Sequence, residues 1–151
     1  MRYVLDTNTL SFLMAGEPAV AARLLAQDRT DVLVPQPVVA EIEYGLARLP
    51  DSKRRRRLRR RFEIFAEELP RATWTDEVSR TFGRVKADLE KSGTRLEDFD
   101  LAVAAHALAL GATLVTDNVD HMKRIAKLEL ENWRDSVPPG GRDETEENTE
   151  E

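Results

Sequence analysis

The chain has 151 residues, 41% of them hydrophobic and 34% charged, a size and balance that suit one globular domain and exclude both wholesale disorder and a pair of independent units. The absence of cysteine excludes a disulfide framework, a thiolate zinc centre, an iron–sulfur cluster and a thiol nucleophile, which leaves the chemistry to oxygen and nitrogen groups. A formal net charge of −5, from 23 basic and 28 acidic residues, argues against a nucleic-acid partner only if the charge is evenly spread, and it is not.

Arg2-Tyr3-Val4-Leu5 is a short run of strand type that stops at Asp6-Thr7-Asn8-Thr9, residue types that cap helices, and Leu10, Phe12 and Leu13 then supply apolar positions for a helix. Pro18 suits the first turn of a helix through about Gln27. Val32-Leu33-Val34, closed by Pro35, reads as a second buried strand, and Pro37 opens a helix with Val38, Val39, Ile42, Leu46 and Leu49 on one face. Pro50-Asp51-Ser52 breaks the chain and caps a longer helix to about Leu69, in which Leu58, Phe62, Phe65 and Leu69 recur at spacings of three and four. Ala72-Thr73-Trp74 is expected as a brief strand and Thr75 as a cap, with Val78, Phe82, Val85 and Leu89 the buried stripe of a helix ending near Gly93. Across 101–110 only His106 is strongly polar, so that helix belongs deep in the fold and His106 is a core or interface residue, not a catalyst. Gly111 ends it, and Ala112-Thr113-Leu114-Val115 is a strand finishing in Thr116-Asp117-Asn118. A short helix over about 121–126 and a last strand near 128–131 complete a domain of residues 1–135, with Trp74 and Trp133 as core or interface aromatics. Strands and helices alternating in this way give an α/β fold: a central, mainly parallel sheet with helices on both faces, whose ligands gather beyond the carboxyl ends of the strands.

Charge is segregated along this plan. Residues 142–151 hold one arginine and six acids after Pro138-Pro139-Gly140-Gly141, so 136–151 is expected to be a disordered acidic tail, and the rest is balanced at 22 basic against 22 acidic residues. Lys53, Arg54, Arg55, Arg56, Arg57, Arg59, Arg60 and Arg61 place eight basic groups in nine positions, which leaves the remaining body at −8. Such a distribution suits an anionic partner on one side and a cation among the acids. No apolar run approaches the ~20 residues that cross a bilayer, and Met1 leads into Asp6 without the pattern of a secretory leader, so a cytoplasmic protein with no membrane partner is expected.

Four acids stand where an acid is locally costly or oddly placed: Asp6 after the first strand, Glu41 within an apolar-faced helix, Asp100 leading the buried helix and Asp117 after a later strand. Each has an ordinary explanation. Asp6 and Asp117 can cap the helix or turn after them, Glu41 can be peripheral with Glu43 the solvent-facing acid, and Asp100 can serve the helix dipole beside Glu97 or Asp98. Together they weigh differently, because carboxylates converging on one crevice repel one another unless a cation is present. Magnesium accepts oxygen ligands, shares its sites with phosphate, and provides the chemistry of phosphodiester hydrolysis; the arginine run then holds the polyanion.

At these positions the chain resembles the PIN-domain ribonucleases, specifically the VapC-type toxins of toxin–antitoxin pairs, over residues 2 to about 134. Tyr3-Val4-Leu5-Asp6-Thr7-Asn8 is similar to the family's first motif. Val39-Ala40-Glu41-Ile42-Glu43-Tyr44-Gly45 resembles the second and selects Glu41 over Glu43. Asp100-Leu101-Ala102-Val103-Ala104-Ala105-His106-Ala107 resembles the third and selects Asp100 over Asp98, Leu114-Val115-Thr116-Asp117-Asn118 the fourth, and Leu130-Glu131-Asn132-Trp133 the closing strand. The family varies at the fourth motif, where its acid-then-phenylalanine is here His121-Met122, so Asp120 is a reserve candidate and His121 a further outer contact. The resemblance implies a PIN-like fold and a hydrolase, an endoribonuclease dependent on Mg²⁺ or Mn²⁺, that forms a homodimer and is neutralised by a VapB-type antitoxin. It implies Asp6, Glu41, Asp100 and Asp117 as catalytic metal ligands, Thr7, Asn8, Thr116 and Asp120 as residues supporting them, and Arg54, Arg55, Arg56, Arg57, Arg59, Arg60 and Arg61 as RNA contacts. Two other readings compete. An aspartate-based phosphotransfer enzyme needs a second acid two residues after the first, where Asn8 stands, or a lysine after the late strand, where none occurs before Lys123; a non-cutting scaffold of the same fold need not keep four acids.

Overall fold

The computed structural model describes residues 1–135; the expected acidic tail, 136–151, lies outside the described residues. The elements run β1 (Tyr3–Leu5), α1 (Thr7–Ala15), α2 (Pro18–Leu25), a 3-10 turn (Arg29–Asp31), β2 (Val32–Pro35), α3 (Gln36–Ala47), α4 (Lys53–Glu68), β3 (Arg71–Ala72), α5 (Asp76–Lys91), α6 (Asp98–Leu110), β4 (Thr113–Val115), α7 (Val119–Met122) and β5 (Leu130–Glu131). Local signals set their limits. Asp6 caps α1 by accepting the Thr9 N–H at 2.8 Å, Ser52 caps α4 by accepting from Arg55, and Thr75 caps α5 by accepting from Val78. Gly111 ends α6 in left-handed backbone at φ +62, a conformation that strains other residues.

The strands form one five-stranded sheet in the order β3-β2-β1-β4-β5, with every neighbouring pair parallel. From β1 the chain winds outward through β2 to β3, then returns across β1 to lay down β4 and β5 on the other side. Right-handed crossovers therefore put α1 to α4 on one face and α5 to α7 on the other, the α/β arrangement expected from the alternating pattern. The reversal falls between β1 and β4, whose Tyr3, Val4 and Leu5 pair with Thr113, Leu114 and Val115. Beyond the carboxyl ends of these two strands the crossovers diverge and leave a crevice.

The core is the sheet and α6. Val4, Leu5, Val32, Leu114, Val115, Ala104 and Ala107 have no exposed surface. Strands of this kind, apolar on both faces, belong to a parallel sheet covered on both sides. Trp133 is buried edge-on to Tyr3 at 5.4 Å, and Arg23 is buried in an ion pair with Glu131, tying α2 to β5. His106 is fully buried, as its apolar helix implies. Its Nδ1 lies 2.7 Å from the Ala102 carbonyl, which can only accept, so Nδ1 carries the proton and the partnerless Nε2 is bare, with the ring edge-on to Trp74.

Three boundaries differ from expectation. Trp74 falls outside β3, because Pro35, paired with Ala72, is the last strand residue before the neighbouring chain turns into α3; with no ladder to join, Trp74 is 46% exposed and donates to Ser79 Oγ. The short helix near the end begins at Val119, not 121, after a turn in which the Asn118 N–H donates to Thr116 Oγ1, and past Lys123 only i→i+3 hydrogen bonds continue. The last strand is only Leu130–Glu131.

Burial pushes the His106 imidazole below its ordinary pKa. A depressed value means the folded state releases this proton more readily than the unfolded chain, so His106 adds stability above its ordinary range, and that stability is lost as the pH falls. Thermal unfolding of the wild type should therefore decline between about pH 7 and about pH 5 more steeply than that of His106→Gln. Equal slopes would refute this assignment.

Candidate active site

The crevice at the β1/β4 reversal holds a polar pocket of about 280 Å³ lined by Asp6, Thr7, Asn8, Glu41, Asp100, Asp117, Asn118 and Met122. Four stretches far apart in sequence build it. Asp6 follows β1, which is locked to β4 by the Asp6 N–H donating to the Val115 carbonyl at 3.1 Å. Asp117 follows β4, Glu41 projects from α3, and Asp100 lies in the first turn of α6. The apolar neighbours of these acids, Leu5, Val115, Ile42 and Leu101, are all buried and hold their backbones in place.

Neighbouring groups position the carboxylates. Thr7 donates its hydroxyl to Glu41 Oε1 at 2.8 Å, and Asn8 Nδ2 donates to Asp117 Oδ1 at 3.2 Å. Asp6 accepts from the Thr9 amide and from the buried Thr116 hydroxyl, while Thr9 Oγ1 donates to the Val115 carbonyl. The Asp6 carboxyl is pushed above the usual carboxylate range, mainly by burial; hydrogen bonds from Thr116 and Thr9 oppose this, and Asp117 adds to it. Burial also raises Asp100, helped by the negative charges of Glu41, Glu97 and Asp6 and opposed by His121. Like charges thus share one pocket at a cost in free energy.

Among the described residues, no three acidic or imidazole groups stand tightly enough clustered to grip an ion as they are. Repulsion accounts for the spread: each of Asp6, Glu41 and Asp117 is turned to a hydroxyl, amide or backbone donor. The donor set nevertheless fits a hard divalent cation. It is all oxygen, it is anionic, its charges help to raise the Asp6 and Asp100 carboxyls, and magnesium needs only one or two direct carboxylates because it keeps much of its water.

The other acids of the three helical and strand-end motifs lie elsewhere. Glu43 pairs with Arg59 at 2.8 Å and Asp98 with Lys86 at 3.0 Å, both at the surface. Asp120, expected to support the site, is exposed, pairs with Lys123 and does not line the pocket. Its place on α7 turns it to solvent, while His121 meets Asn118 Oδ1 at 2.7 Å. Sequence reasoning missed Asn118 and Met122 as lining residues. Asn118 was legible only as a capping type, and Met122 carries no polar signal at all.

On α4, Phe62 is buried and Leu58 and Phe65 pack against the core, so the arginines occupy the outer face. Four are engaged locally: Arg55 with the Leu49 carbonyl, Arg56 with Asp51, Arg59 with Glu43 and Arg61 with the Met14 carbonyl. Arg54, Arg57 and Arg60 are exposed, spaced by three, and have no hydrogen bond or ion pair among the described residues.

Known proteins resemble this chain in sequence and fold. The PIN domain family profile matches residues 3–128. "Ribonuclease VapC2" of Rickettsia felis is 33% identical over 136 residues, covering 88% of this chain and 98% of its own length, and "Ribonuclease VapC2" of Haemophilus influenzae is 29% identical over 133 residues with the same coverage. The crystal structure of VapBC2 from Rickettsia felis bound to a DNA fragment from their promoter superposes with a TM-score of 0.78 at 32% identity, covering 88% of this chain and 99% of that one.

Because burial and neighbouring acids raise Asp100, its protonation contributes stability in full below its ordinary range, and that contribution is lost as the pH rises through the raised value. Without divalent ions at neutral pH, Asp100→Asn should therefore melt a few degrees above the wild type, and the gap should close as the pH falls toward about 4. Added Mg²⁺ or Mn²⁺ should raise the wild type more than the variant. Equal melting points at neutral pH, with no response to metal, would contradict the electrostatic account.

Proposed function

The chain belongs to the PIN-domain family, and from that premise we propose that it is a divalent-metal-dependent endoribonuclease that hydrolyses RNA phosphodiesters as the toxin of a toxin–antitoxin pair, held inactive by a VapB-type antitoxin. The observation that carries the reading is the convergence of four acids from separate chain segments on one polar pocket at the sheet's switch point. Residues 1–135 are the nuclease unit in this reading, acting in the cytoplasm as a homodimer. No helix among the described residues is long and apolar enough to cross a membrane.

In the reaction, Asp6, Glu41, Asp100 and Asp117 would hold Mg²⁺ or Mn²⁺ directly or through water. Such an ion supplies Lewis acidity to the phosphate and to the attacking water. Thr7 keeps a Glu41 oxygen aimed and Asn8 does the same for Asp117. The Thr9 amide and the Thr116 hydroxyl fix Asp6, so that its charge is held at the carboxyl end of β1. Burial raises the Asp100 and Asp6 carboxyls, so ion binding should weaken as the pH falls. Arg54, Arg57 and Arg60 carry the phosphate contacts of the basic helix, while Arg55, Arg56, Arg59 and Arg61 chiefly brace α4.

The direct experiment is cleavage of a mixed cellular RNA pool by antitoxin-free protein. Cutting should require Mg²⁺ or Mn²⁺, stop with EDTA, fall roughly a hundred-fold or more in Asp100→Asn and persist in Asp98→Asn, whose carboxylate lies outside the pocket. Equal loss in both variants, or cutting that survives EDTA, would overturn the reading. Joint replacement of Arg54, Arg57 and Arg60 by Ala should reduce the salt slope of RNA binding by about 2, at ~0.7 for each single-strand phosphate contact. An unchanged slope would assign these arginines to solvation alone.

A further inference from the structure

We propose that Tyr44 is a nucleobase platform: an unpaired base next to the scissile phosphate stacks on its ring, in a groove beside the acidic pocket, while Arg48 and Arg54 meet the flanking phosphates. This rests on the nuclease reading and supplies the base contact that reading lacks.

The groove has a volume of about 440 Å³ between α1, α3 and α4. Thr7 and Glu41 line both it and the acidic pocket, so the two are adjacent and share a wall. Met14 and Leu58 give it an apolar lining, and Arg48 and Arg54 place positive charge along it. Tyr44 stands one helical turn after Glu41 and is 66% exposed, with the Arg48 guanidinium 5.8 Å from its ring centre. A strand whose phosphate lies among the acids brings its neighbouring base within reach of that ring. Gly45 adds an independent sign. It sits inside α3, where glycine is among the weakest helix formers, its backbone is not left-handed, and a Cβ added there meets nothing within 4 Å. Nothing in the described chain fills the space over Gly45, so a ligand lying flat on α3 can approach its backbone closely. An aromatic ring beside a basic track is how single strands are held without reading sequence, and unpartnered Arg57 and Arg60 extend that track along α4. A peptide is the other occupant such a groove admits, but the arginines and the shared wall with the acidic pocket favour the polyanion.

The test is fluorescence anisotropy of a short single-stranded RNA of mixed sequence binding to the full chain carrying Asp100→Asn, which limits cutting. Adding Tyr44→Ala should weaken binding roughly ten-fold, and Tyr44→Phe should leave it nearly unchanged. Gly45→Ala should weaken binding while raising the melting temperature. A strand of the same length with abasic riboses should bind with and without Tyr44→Ala equally. The proposal is overturned if Tyr44→Ala binds RNA as tightly as its parent, or if the loss is the same for the abasic strand. It is also overturned if Tyr44→Ala keeps its RNA affinity but is no longer inhibited by antitoxin, which assigns the groove to a peptide. Cleavage separates this from the wider reading: if the unmutated chain cuts no RNA with Mg²⁺ or Mn²⁺ the nuclease reading fails, and if it cuts but Tyr44→Ala cuts equally well only the platform fails.

Discussion

Carboxylates packed side by side at the edge of an apolar sheet repel one another, and much of this molecule holds them there against that repulsion. Asp6 and Asp117 follow the two central strands, which are buried and paired over three residues in register. Asp100 lies in the first turn of a helix whose next seven residues are all buried. The restraint comes from packing, which cannot relax without exposing the core, so the acids cannot separate far. What packing leaves unresolved is met by hydrogen bonds from Thr7, Asn8, Thr9 and Thr116, and the remaining excess of negative charge is what a divalent cation would neutralise.

The same logic extends to the surface. Net charge conceals two opposed regions, an acidic crevice and a basic helix, joined by the groove through which Arg54 and Glu41 become neighbours of one cavity. A polyanion would be attracted to α4 and repelled by the crevice until cations occupied it, which would make binding and cutting separable properties of one strand's path. The local ion pairs of α4 bear on this too. Arg56 and Arg59 are committed to Asp51 and Glu43, and exposed pairs of this kind contribute little to stability, so they chiefly fix where the side chains point.

The sequence made the fold class and the four acids legible because both depend on short-range signals: buried-type strands, capping residues after them, and an apolar helix interrupted by one histidine. Choosing Glu41 over Glu43 and Asp100 over Asp98 came from the family resemblance, since spacing alone left both pairs open; in the structure Glu41 and Asp100 line the pocket and the other two are in surface ion pairs. Less was legible where tertiary pairing decides. Trp74 has a strand's composition but no neighbour to pair with beyond Pro35, and Asp120 has the right chemistry on a helix that turns it to solvent. The arginine run looked uniform in sequence, and only its partners separate Arg54, Arg57 and Arg60 from the rest. Asn118, Met122 and the groove at Tyr44 depend on where three or four segments meet, which no local pattern encodes.

The central claim is that the four acids form one cation site, and the most direct measurement of it is anomalous diffraction from crystals soaked in Mn²⁺. A manganese peak is expected within the pocket bounded by Asp6, Glu41, Asp100 and Asp117, and it should be lost in crystals of Asp100→Asn. A peak elsewhere with this pocket empty at saturating Mn²⁺, or a peak that persists unchanged without Asp100, would contradict the claim.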